Sequence, residues 1–217
     1  MATRNSSSRS SSTGRGSSPK SQIVAMLKAD HKKVKKAFKD FEKLDPHEDP
    51  EACRSLVEQT LAEIEVHAEL EEQLFYPAAR GAVKEEELID EAEVEHMTAK
   101  VLIEQLKGMQ PEDEKFAATF KVLGEYINHH VQEEEGEIFK QLTAGGAEWD
   151  TVLEEMQAQR EQLMEEKGMP AEQEAAEAMS GKSSGAMRGA GRTGSEARPQ
   201  AAAKPSRSRT PGSSEKE

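Results

Sequence analysis

HAELEEQLFYP at residues 67–77 and HVQEEEGEIFK at residues 130–140 decide how this chain folds. In each, a glutamate follows a histidine by four residues, His67 to Glu71 and His130 to Glu134. That spacing puts both side chains on one face of an α-helix, with Cβ atoms about 5–6 Å apart. The two stretches stand 63 residues apart, and upstream of them Asp30-His31 and Glu95-His96 stand 65 apart. The pattern is that of a helical hairpin present twice, each copy supplying one lone histidine and one HxxxE pair. Two such copies predict a pseudo-twofold site for two metal ions.

Each of these histidines interrupts an apolar stripe. The first helix reads Ile23, Leu27, His31, Val34, Phe38, Phe41, and the second Val57, Leu61, Ile64, His67, Glu71, Leu74. The third reads Ile89, Ala92, His96, Ala99, Ile103, Leu106, and the fourth Phe116, Phe120, Leu123, Ile127, His130, Glu134, Ile138. Steps of three and four put each set on one face. Four histidines and two glutamates are therefore expected inside the fold, where unpaired they would cost several kcal/mol each. A metal compensates: bundle interiors hold metals through inward side chains, carboxylates bridging two cations and neutral imidazoles completing the coordination.

Local punctuation sets the helix ends. Ser21 is the expected N-cap of a helix from Gln22 to Leu44, stopped by Asp45-Pro46. Asp49-Pro50 supplies a cap and a first-turn proline for a second helix over 50–79, ended near Arg80-Gly81. A third runs from Lys84 to Lys107 with Gly108 behind it, and Pro111 opens a fourth reaching Leu142. After Gly145-Gly146 a shorter fifth helix spans Ala147 to Lys167, closed by Gly168 and Pro170, with Trp149 as its anchor. Connections this short make neighbours antiparallel. The expected fold is all-α, an antiparallel up-down-up-down four-helix bundle over 21–145 with an appended fifth helix over 146–168.

The 217 residues carry 42 acidic and 29 basic side chains, with only 4% aromatics. Residues 1–20 and 169–217 are rich in Ser, Gly, Arg and Ala and hold little that could offset the entropy of ordering, so both read as disordered tails. The segment 22–167 keeps 36 acidic against 17 basic residues, a net charge of −19. Such an excess argues against a nucleic-acid-binding core and leaves only weak contact through the basic tails. One cysteine, Cys53, excludes an internal disulfide and a cysteine-based zinc site, and reads as a small buried hydrophobe. No apolar run approaches a membrane span, and the N-terminus lacks a secretory h-region, so a cytoplasmic protein is expected.

The set His31, His67-x-x-x-Glu71, His96, His130-x-x-x-Glu134, alternating on four helices, resembles the hemerythrin-like (HHE cation-binding) domain over residues 22–142. The resemblance implies a four-helix bundle holding a non-haem di-iron centre bridged by the two glutamates, with His31, His67, Glu71, His96, His130 and Glu134 as ligands. Two departures stand out. Oxygen-carrying hemerythrins have a further histidine one turn after the third-helix ligand, where this chain has Lys100. The second copy has Lys140 where the first has Pro77, a change that concerns the helix end.

His129 and Glu133 also have the HxxxE spacing, but the seam through Ile127 and Glu134 assigns His130 to the interior and His129 to the flank. His47 is expected to be exposed in the turn after the first helix. Glu72 and Glu135, which follow the candidate ligands, read as solvated or as supports for the site, and the lysine run 32–36 as a solvated face. Two iron ions are the expected cofactor, with zinc or manganese tolerated by the same residues. The expected function is a binding module for oxygen, nitric oxide or iron. An enzyme decomposing peroxide or reducing oxygen, and a metal-free bundle whose basic tails contact a partner, are the alternatives.

Overall fold

The structure, a computed structural model, describes residues 17–169. Both expected tails fall outside that range, apart from residues 17–20 and 169. Among the described residues every regular element is helical. α1 spans Pro19–Phe41. α2 runs Pro50–Leu70, passes through a π-helical turn over Glu71–Phe75 and ends as Tyr76–Arg80. α3 spans Glu87–Lys107. α4 runs Phe116–Glu133, a π-helical turn over Glu134–Ile138, and Phe139–Gln141. α5 spans Trp149–Glu166.

α1 touches α2 and α4, and α3 touches the same two helices, which closes the four into a bundle; α5 lies against α1 and α2. Trp149 anchors the start of α5 by burying its ring and donating from Nε1 to Thr143 O at 3.1 Å. Gly168, at φ +63°, turns the chain out of α5, a conformation that suits glycine.

Several boundaries differ from those expected. The N-cap of α1 is Ser18, not Ser21: its hydroxyl accepts from Ser21 N, and Pro19 takes the first turn, where its missing N–H costs nothing. α1 stops at Phe41, short of Leu44. Asp49 precedes α2 without a side-chain cap, and its own N–H closes a turn onto Asp45 O at 2.8 Å. α4 starts at Phe116 and not at Pro111, since Asp113 accepts from Gln110 N at 2.7 Å and holds that stretch in a turn.

The stripes of α1 and α3 are buried as read, and so is that of α4. On α2 Leu74 departs from the reading: it is half-buried, while Phe75 and Tyr76 fill the interior. Phe75, four residues after Glu71 and aligned with the buried Ile138, takes the interior position in place of Leu74, and the π turn brings Tyr76 in beside it. Along the bundle the apolar core is cut in two. Ile23, Leu27, Phe75, Tyr76 and Ile138 sit at one end; Val34, Phe38, Ile64, Ile103 and Leu123 sit at the other. Between them lies a polar layer.

Candidate metal centre

That layer consists of His31, His67, Glu71, His96, His130 and Glu134, each less than a tenth exposed and both glutamates fully buried. The chain builds it twice. His31 on α1 meets His67 on α2, Nε2 to Nε2 at 3.1 Å; His96 on α3 meets His130 on α4 at 3.2 Å. Donor atoms of His31, His67, Glu71 and Glu134 converge within 4.8 Å of one another, and so do those of Glu71, His96 and His130. Glu71 therefore belongs to both groups. Its Oε2 lies 3.2 Å from His67 Nε2 and 3.4 Å from His96 Nε2.

The far nitrogen of every imidazole is held by a carboxylate. His31 Nδ1 donates to Glu135 at 3.0 Å and His96 Nδ1 to Glu72 at 3.0 Å. His67 Nδ1 donates to Asp30 at 3.2 Å and His130 Nδ1 to Glu95 at 2.9 Å. The acid before each lone histidine thus orients the HxxxE histidine of its own hairpin. The glutamate after each HxxxE orients the lone histidine of the other hairpin. This fixes the proton on Nδ1 and turns the Nε2 lone pair inward, the arrangement that carboxylates impose on metal-binding histidines. Glu72 and Glu135 hence act as supports, while the roles of Asp30 and Glu95 went unread in the sequence, although both repeat in register.

Without a cation this layer is electrostatically strained. Two inward lone pairs 3.1 Å apart need a proton or a metal between them. Burial opposes charge on His67, yet Glu71 and Asp30 hold its imidazolium up to about 10. Burial and that charge push His31 down to about 4. Burial works against ionisation of Glu71, but His67, His96 and His130 keep it below the carboxylate range. Burial and the Glu71 charge push Glu134 well above that range. Glu71 Oε1 and both oxygens of Glu134 are buried without a hydrogen-bond partner. Three orphaned carboxylate oxygens beside four inward imidazole nitrogens form a donor set that fits two cations. The nitrogen spacing also matches the ~3.0 Å edge between two ligands bound side by side at ~2.1 Å.

Tyr76 enters the layer from the carboxylate side, a contribution the sequence reading missed. Its hydroxyl is 3.4 Å from Glu71 Oε2, to which it donates, and 3.3 Å from His96 Nε2. Burial and the Glu71 charge hold the phenol well above its ordinary range, so it remains a donor. On the imidazole side lies a cavity of about 30 Å³, lined by the four histidines, by Val34, Ile103 and other apolar side chains, and by Asp30, Glu65 and Lys100. Lys100 directs its ammonium outward to Glu72 at 2.7 Å. His129 lies on the exposed flank, and His47 is exposed.

Residues 22–142 match the family described as the hemerythrin HHE cation-binding domain. A DNA nickase from Nostoc sp. is 29% identical over 120 residues, which cover 54% of this chain and 32% of the nickase. The chain therefore spans about a third of that relative's length. A crystal structure of a hemerythrin HHE cation-binding domain-containing protein from Mycobacterium kansasii superposes with a TM-score of 0.53 at 22% identity, covering 65% of this chain and 85% of that one. At that identity the likeness speaks for the fold. No helix among the described residues is long and apolar enough to cross a membrane.

Proposed function

Because this chain belongs to the hemerythrin HHE cation-binding domain family, we propose that the buried layer holds two iron ions and binds a small ligand such as oxygen, nitric oxide or peroxide. His31, His67, Glu71, His96, His130 and Glu134 would hold the ions, and Glu71 is the carboxylate whose donor atoms fall in both groups. Iron so held supplies redox-active positions at which such ligands exchange; zinc and manganese suit the same donors but not the same chemistry. The cavity carries the reading. Its ~30 Å³ exceeds the ~10–15 Å³ that one water needs, so a small ligand fits beside the imidazoles.

The side chains divide the work by side. Val34, Ile103 and their neighbours keep the imidazole face dry, and Lys100, turned outward, leaves no fifth imidazole there. On the carboxylate face Tyr76 offers a hydroxyl proton to Glu71. This buried donor, across the layer from the cavity but 3.3 Å from His96 Nε2, supports a second reading, peroxide breakdown at the same centre, in which the proton would pass by way of Glu71. Elemental analysis and an optical spectrum of full-length protein, purified without a histidine tag, test the first reading. About two iron per chain with near-ultraviolet bands that shift on adding nitric oxide are expected. Zinc alone, or no metal after iron reconstitution, rejects it. Sustained oxygen evolution from added peroxide decides for turnover over binding.

A further inference from the structure

We propose that Glu95, His129 and Glu133 form a separate, surface site for one divalent transition-metal cation. His129 Nε2 lies 3.4 Å from Glu95 Oε1 and 3.3 Å from Glu133 Oε1, and one donor atom from each residue falls within 4.8 Å of the others. His129 and Glu133 are one turn apart on α4, and Glu95 reaches them from α3. One imidazole and two carboxylates are the donors that divalent transition ions accept, with the remaining positions left to water.

The twofold repeat supplies the independent argument for a cation here. Aligned as His67 is with His130, the first hairpin has Val66 where the second has His129, Leu70 where it has Glu133, and Asp30 where it has Glu95. In the first hairpin Val66 and Leu70 are buried in the cluster with Met156, Leu163 and Met164 of α5. Arg160 of α5 places its guanidinium on Asp30, with Nη1 3.0 Å from Oδ1 and Nη2 on Oδ2. The carboxylate that orients His67 is thereby neutralised from outside. Among the described residues the second hairpin has no such helix over it. Glu95 gives Oε2 to His130 Nδ1, and its Oε1 faces His129 and, through it, a second carboxylate. Among the described residues no lysine or arginine pairs with Glu95 or Glu133. Two carboxylates and an imidazole stand where the other half of the molecule has a guanidinium. A divalent ion fills that role, and it does so reversibly, because His129 is 63% exposed.

The site differs from the buried layer in exchange, so the two are separable. Full-length protein with its buried sites loaded is titrated with Mn²⁺ and followed by electron paramagnetic resonance of the free ion. One further equivalent, removed by a short dialysis that leaves the buried metal in place, is expected. His129→Gln and Glu133→Gln each weaken it at least tenfold, while the metal content of the buried layer stays unchanged. Glu133→Arg, which brings a guanidinium beside Glu95 as Arg160 does beside Asp30, abolishes Mn²⁺ binding and preserves the melting temperature. Glu95 is left intact because it holds His130. An absent further equivalent, or one that survives in both Glu133→Arg and His129→Gln, overturns the proposal.

Discussion

The two hairpins agree inside and differ outside. Inside, the His31–His67 pair matches the His96–His130 pair to 0.1 Å, and each Nδ1 meets a carboxylate from the corresponding position. Outside, the first hairpin lies under α5 with Arg160 on Asp30. The second exposes Val94, Met97, Val101, Val122 and Tyr126 on α3 and α4. Even the layer itself is uneven, for Tyr76 occupies the place that Phe139 takes in the other copy, where the ring stacks on His31 at 6.1 Å. The inner geometry repeats one donor set, an imidazole pair with a carboxylate beside it, in both halves. The outer shell meets different neighbours in the two halves, α5 with Arg160 in the first and the His129 cluster in the second, and has diverged.

The sharpest break of this symmetry lies between the two glutamates. Glu71 serves both donor groups and Glu134 one. Glu71→Ala is expected to strip nearly all the metal, Glu134→Ala about half, by elemental analysis. Metal that binds only the folded state adds about 2.7 kcal/mol at a hundredfold excess over its Kd, so melting temperature should fall in the same order. Equal losses from the two variants would show that the carboxylates are equivalent after all.

Next in size is the ion pair beneath α5. Arg160→Met leaves Asp30 mostly buried without its guanidinium, which should cost about 3 kcal/mol by denaturant titration. Asp30→Asn in the same chain should restore part of it. Glu95→Gln in the other hairpin should cost less, because it strands no buried charge. Similar costs on both sides would show that α5 adds nothing to the first hairpin.

Protons make a third test. The folded, metal-free protein keeps a proton on His67 up to about 10, whereas the unfolded chain gives it up near 6.5. His67 thus contributes stability that is complete below pH 6.5 and is lost as pH rises toward 10. Glu134, raised as well, acts in the same direction. Each retained proton is worth about 1.4 kcal/mol per pH unit. Metal must displace both, so loading at pH 7 should release about two protons per chain to an indicator dye. The melting-temperature gap between loaded and chelated protein should widen from pH 6.5 to 8.5. A gap that narrows with pH would contradict this proton assignment.

The smallest effect belongs to Tyr76→Phe, which makes the first hairpin like the second at that position. Loss of one buried hydroxyl should cost about 1 kcal/mol and leave metal content alone. A changed optical spectrum of the loaded protein is the expected sign that the hydroxyl acts on the centre. An unchanged spectrum would reduce Tyr76 to packing.

The fold and the six inward residues could be read from the sequence because burial follows helical periodicity, and periodicity survives in a single chain. The histidines showed themselves by interrupting stripes of Ile, Leu, Val and Phe. Leu74 was misplaced because steps of three and four both fit a period of 3.6, and only the aligned Ile138 shows that the step after Glu71 is four. The supports Asp30 and Glu95 repeat in register, but an acid beside a histidine on a helix points away from it, and its partner lies on a neighbouring helix. Arg160 gave no signal, since one arginine among the charges of α5 becomes informative only once Asp30 is seen facing it. Tyr76 stood opposite Phe139 in the repeat, a difference of one oxygen that apolar patterning does not weigh.

The two π turns carry a historical consequence. Both begin at the glutamate of an HxxxE pair and occupy the same five aligned positions, Glu71–Phe75 and Glu134–Ile138. A π turn arises when one residue is inserted into an α-helix, and it persists where losing it would rotate everything downstream by about 100°. Two independent insertions at one aligned position are less economical than a single insertion copied with the hairpin. A single insertion copied with the hairpin would make the π turn older than the duplication. A relative whose first hairpin is bulged and whose second is a straight α-helix would reverse that order of events.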